Sequence, residues 1–182
     1  MPRTRSAAPT DEPPVADLLA DLLADERITV VGLLFEAQTA LVRRLDTDLR
    51  ADAGMPLATF EVLIRLARSP GGRLRLTELG HQLSITTGGV TRLIDRIESG
   101  GLTRRVPDPT DRRAAFAEIT ADGLGALHRA TEVHLRSVQR DLVDALDPGD
   151  YRALATALRV LRDHVSGDPA TRVRPAPPSA PR

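Results

Sequence analysis

Residues 83–120, LSITTGGVTRLIDRIESGGLTRRVPDPTDRRAAFAEIT, decide the fold. Val90, Leu93, Ile94 and Ile97 recur at i, i+3, i+4 and i+7, the spacing of one buried helix face. Thr86 stands where an N-cap should, with Ile85 before it and Val90 at the fourth helical position, a hydrophobic-staple pattern. The helix predicted over 86–98 leaves Gly88, Thr91, Arg92, Asp95 and Arg96 on the opposite face. A short strand (102–106), a turn (107–111) and a returning strand (114–119) follow, with Arg112 and Arg113 at or near the tip. This is the order of a helix-turn-helix with a β-wing, a shape that reaches a major groove and a neighbouring minor groove together.

Outward from this segment the pattern is helical. TELGHQL, from Thr77, supplies the first helix of the turn. Residues 57–68 predict a helix closed by SPGG. Ile28, Val31, Phe35, Val42, Leu45 and Leu49 mark a longer helix ended by Gly54. Leu18, Leu19, Leu22 and Leu23 share a face of a preceding arm. Thr120 repeats the capping device, with Ile119 and Leu124, for a helix running to about 145. Asp147-Pro148 opens the last helix, an Asp cap with Pro at the first position. Pro-rich residues 1–14 and 166–182 read as disordered tails. The end helices carry more apolar surface than so small a unit can cover, so residues 15–52 and 121–165 are expected to pack on a second copy, with 57–119 as the reading unit.

Composition narrows the classes. Cysteine is absent, which excludes a disulfide framework and a thiol sensor. No apolar run approaches a membrane span and no signal-peptide pattern appears, so a cytoplasmic protein without a membrane partner is expected. Net charge is zero, yet residues 73–113 hold eight Arg against five acidic residues, placing the positive excess on the reading head. All 25 basic residues are Arg, so every cationic contact is a planar guanidinium fork.

The candidate DNA contacts are Thr86, Thr87, Gly88, Thr91, Arg92, Arg96, Arg104, Arg105, Arg112 and Arg113. Arg92 is the first choice for a base, since Arg to guanine is the commonest specific contact. Arg104 and Arg105 flank the DNA as phosphate contacts, and an Arg on a thin turn suits a narrow minor groove. Gly88 and Gly89 each cost the helix up to about 1 kcal/mol, less in a first turn. Close approach to a DNA backbone, or simple tolerance, accounts for them equally well. The histidines lack metal-ligand spacing, the SPGGRLR turn lacks a phosphate-loop Lys, and no nucleophile elbow occurs. Neither a cofactor, a metal nor an enzyme is expected.

The strings LTELGHQL, ITTGGVTRLIDRIESGGLTRR, PDPTDRR and EITADG resemble the MarR family of winged helix-turn-helix regulators over about residues 26–165. The resemblance implies a homodimer that binds pseudo-palindromic double-stranded DNA, represses nearby genes, and releases DNA when an aromatic or acidic small molecule enters a cleft. It implies that Asp95 bonds Arg113, with Asp95 and Asp111 orienting the wing. Two departures stand out. Pro56 lies where the family caps its second helix with Ser or Thr, so that cap must come from elsewhere, and Phe60 replaces a Trp.

The reading is a mainly α, winged helix-turn-helix protein with a two-stranded wing, acting as a DNA-binding repressor. An effector pocket is placed near Phe60, Arg43 and Arg65. The alternative is a ligand-binding or protein-interaction module on the same fold that does not bind DNA.

Overall fold

The computed structural model describes residues 19–20, 22–111 and 114–165. The chain divides into two compact units, one through Ala40 and one from Leu41. In the first, Leu19, Ala20, Leu22 and Leu23 are helical, and Glu26 opens α1, which runs Glu26–Ala53. Ile28, Val31, Leu34 and Phe35 are exposed there.

The second unit holds the core. After α1 come α2 (Leu57–Ala67), a 3₁₀ turn (Pro70–Gly72), β1 (Arg73–Arg75), α3 (Leu76–Leu83), α4 (Thr87–Ser99), β2 (Thr103–Pro107), β3 (Ala115–Ile119), α5 (Ala121–Val138), a π-helical turn (Gln139–Val143) and α6 (Pro148–Val165). Phe60, Leu63 and Leu66 of α2 meet Leu79 of α3 and Val90 and Ile94 of α4 in one buried cluster. The sheet supplies Leu74, Ala117 and Ile119 to it, and α5 supplies Leu127, Ala130 and Val133.

Both Thr caps form as read. Thr86 accepts the Gly89 amide at 3.3 Å, and Thr120 accepts the Gly123 amide at 2.9 Å. The Thr120 hydroxyl also donates to the Gly101 carbonyl at 2.7 Å, tying α5 to the start of the wing. The cap that Pro56 cannot give α2 comes from α1, where Asp46 accepts the Leu57 amide at 2.8 Å. Hydrogen bonds from Arg50 and then Leu57 hold the Asp46 carboxyl below its ordinary range.

The two-stranded wing needs correction. The sheet has three antiparallel strands in the order β1-β3-β2. Arg73, Leu74 and Arg75 pair with Glu118, Ala117 and Phe116, so part of the SPGGRLR turn is a strand. Leu74 enters the core while Arg73 and Arg75 stay exposed, the alternation a one-sided sheet requires.

Candidate nucleic-acid interface

Two helices crossing closely present the reading surface. A Cβ on Gly80 of α3 would lie 2.9 Å from Val90 Cγ2 and 3.3 Å from the Ile85 carbonyl oxygen, so this crossing needs glycine. Ser84 turns the chain between the helices in the left-handed region, φ 54°. A crevice of about 480 Å³ follows the turn, lined by Thr77, Gly80, His81, Ser84, Ile85, Thr86 and Thr87 among others.

Burial divides α4 as its periodicity demands. Val90, Ile94 and Ile97 are buried, while Thr87, Gly88, Thr91, Arg92, Asp95 and Arg96 are exposed. The Thr91 hydroxyl donates to the Thr87 carbonyl at 3.0 Å, and Arg92 Nε donates to the Gly88 carbonyl at 3.3 Å. These local bonds keep the row folded onto its own helix, with the Arg92 and Arg96 side chains exposed.

The wing arginines divide by strand face. Arg104 is exposed and forms an ion pair with Glu118, its register partner on β3. Arg105 is half-buried: its amide donates to Glu98 Oε1 at 2.7 Å, and its guanidinium reaches Asp95, Glu98 Oε2 at 3.3 Å and the Thr91 carbonyl at 3.2 Å. The sequence expectation gave Arg105 to a phosphate; here it clasps β2 to α4. Asp95, expected to bond Arg113, is paired with Arg105. Arg112 and Arg113 lie outside the described residues. Asp111, read as wing-orienting, accepts the Ala114 amide at its carbonyl, 3.0 Å, and gives its own amide to Asp108 at 3.3 Å.

Sequence reasoning passed over Arg73, Arg75 and Asp108. Arg73 and Arg75 lie over Phe116, at 5.0 and 5.7 Å from its ring centroid. Arg75 pairs with the buried Asp108 at 2.7 Å. Three residues are too few for their alternation to mark a strand, so the sequence carried no local signal for them.

The expected effector residues differ in exposure. Phe60 is fully buried, with His134 against it at 4.6 Å between ring centroids. Arg65 is mostly buried, paired with Glu61 and bonded to the Glu61 carbonyl at 2.8 Å. Arg43 is exposed on α1. Among the described residues no His, Cys, Asp or Glu cluster is set to hold a metal.

A family signature, that of the MarR family, matches residues 53–114. Sco3205 of Streptomyces coelicolor, a MarR family regulator crystallised in complex with DNA, superposes with a TM-score of 0.71 at 34% identity, covering 79% of this chain and 93% of that one. The chain belongs to the MarR family. Among curated HTH-type transcriptional regulators of Bacillus subtilis, MhqR is 38% identical over 71 residues, 39% of this chain and 46% of MhqR. YkoM is 30% identical over 88 residues, 48% of this chain and 56% of YkoM. The chain thus spans about half the length of these two relatives. Within this winged-helix fold α3 and α4 are the helix-turn-helix, and β2 and β3 the hairpin of the wing.

Proposed function

We propose that this chain is a sequence-specific DNA-binding transcriptional regulator of the repressor type, acting as a homodimer on pseudo-palindromic double-stranded sites. The exposed row Thr87, Gly88, Thr91, Arg92 and Arg96 on α4 carries the reading, because it offers guanidinium forks and small residues on the face opposite the core. The DNA complex of Sco3205 supports it. Arg104 reaches a flanking phosphate, while Arg105 keeps β2 aligned with α4. Arg112 and Arg113 are assigned to the minor groove on their place in the sequence.

Homodimerisation is supported by uncovered apolar surface. No residue of the 18-residue α6 is buried, and Tyr151, Leu158, Leu161 and Val165 are exposed on it. In the first unit Ile28, Val31, Leu34 and Phe35 are equally uncovered. A second copy is the covering we assign to both surfaces. An aromatic or acidic effector is assigned to the neighbourhood of Phe60, Arg43 and Arg65. Because Arg65 is held by Glu61, an acid binding it must displace that carboxylate. No described helix is long and apolar enough to cross a membrane, which fits a cytoplasmic placement.

The test is selection from a random duplex library, then affinity against salt for the winner. A two-fold symmetric winner is expected, with a log–log slope of about −0.9 per phosphate neutralised. Arg92→Ala should weaken the winner and relax preference at one position per half-site. No enriched sequence together with a shallow slope overturns the proposal.

A further inference from the structure

The wing turn contains a carboxylate that ties two readers together. The Asp108 side chain is 1% exposed. Its Oδ1 accepts the Thr110 amide at 2.8 Å, the Thr110 hydroxyl at 2.7 Å and the Asp111 amide at 3.3 Å. Its Oδ2 faces Arg75 Nη2 at 2.7 Å. The Asp108 amide donates to the Ala114 carbonyl at 3.1 Å, closing the loop across the turn.

Arg75 ends β1 and is the residue immediately before α3. It is also the register partner of Phe116, over whose ring it lies. One carboxylate therefore joins the turn leading into Arg112-Arg113 to the residue that opens the helix-turn-helix. Burying an ionised carboxylate is unfavourable unless its oxygens are bonded. Oδ1 is hydrogen-bonded within the turn, whereas Oδ2 has no hydrogen-bond partner among the described residues and is compensated by the Arg75 charge, so the wing turn and β1 are held to the geometry that keeps this ion pair. Either partner shifting alone leaves a charge uncompensated.

We propose that Asp108 is a positioning residue for DNA reading, forming with Arg75 a strut that sets the wing turn at one angle to the helix-turn-helix. The proposal rests on the DNA-binding reading above. It differs from the Arg105 clasp, which joins β2 to α4 on the other side of the wing.

The variants Asp108→Asn, Arg75→Gln and Arg75→Lys separate the roles. Asn keeps an oxygen for the turn but loses the charge facing Arg75. Arg75→Gln leaves the Asp108 turn intact and changes a half-exposed side chain, so it serves if Asp108→Asn fails to fold. The measurements are the unfolding midpoint and the selected duplex profile of the full chain. Arg75→Gln and every folded Asp108→Asn sample should keep the central half-site preference, lose preference at the flanking wing positions, and bind the best duplex about tenfold more weakly. Arg75→Lys should recover most of the flanking preference. An unchanged profile in Arg75→Gln overturns the strut. So does uniform weakening at every position with a lowered unfolding midpoint, which would make the pair merely structural. A wild-type chain that selects no duplex overturns the DNA-binding reading and the strut with it.

Discussion

Gly88 has two competing explanations that one methyl group separates. A Cβ there would meet nothing nearer than Arg92 Nη2 at 3.9 Å, so the chain's own packing does not require glycine. Alanine would favour the helix by up to about 1 kcal/mol, less in a first turn. A DNA backbone lying against the first turn does require it. Gly88→Ala is therefore expected to keep or raise the unfolding midpoint while weakening the best duplex about tenfold. Unchanged affinity in a titration would leave Gly88 as a tolerated residue. The α4 row was legible in the sequence because burial follows period 3.6 whatever lies outside. The clasp made by Arg105 was not, because charge was weighed without the strand's alternation. Adjacent strand residues point to opposite faces, so the two could not both face outward from the sheet. Arg105 turned to Asp95 and Glu98.

At the scale of elements, the Ile-Thr-x-x-Gly step is a packing device. Thr120 caps α5 and its amide donates to the Leu102 carbonyl at 3.1 Å, drawing the helix start onto the wing. A Cβ on Gly123 would lie 2.1 Å from the Leu102 carbonyl oxygen and 2.9 Å from Ile119 Cγ1. Backbone cannot yield there as a flexible side chain can. Gly123→Ala should cost about 2–3 kcal/mol, lowering the thermal midpoint by roughly 5–10 °C. A midpoint within a degree of wild type would show that α5 can move away from the wing. The helices and their Thr caps were legible because capping chemistry is local. β1 was not: three residues are too short for alternation to show, and its strand identity comes from pairing with β3, a long-range contact. The Asp46 cap on α2 was foreseen only as a need, since an acceptor eleven residues away leaves no local signature.

For the whole molecule, stability against pH isolates one half-buried ring. His134 is half-buried against Phe60, its Nδ1 is buried without a hydrogen-bond partner, and burial pushes its pKa below the ordinary histidine value, only partly opposed by Glu61. Glu61 is itself engaged by Arg65. A base with a depressed folded pKa binds its proton more readily when unfolded. Stability is then complete above the unfolded value near 6.5 and falls as pH drops toward the folded value. The bonded carboxylates act in a different window. Asp46, Asp48, Asp108 and Asp141 are all held below 3.8, so their contribution persists through neutral and mildly acid pH and is lost as pH falls through their lowered folded values. Between about pH 7.5 and 5.5 the loss attributable to these groups therefore belongs to His134. The wild-type thermal midpoint should decline across that interval, and His134→Leu, which keeps an apolar contact with Phe60 but cannot titrate, should flatten the decline. Parallel slopes in the two proteins would mean that the ring accepts its proton without disturbing the packing of α5 on α2.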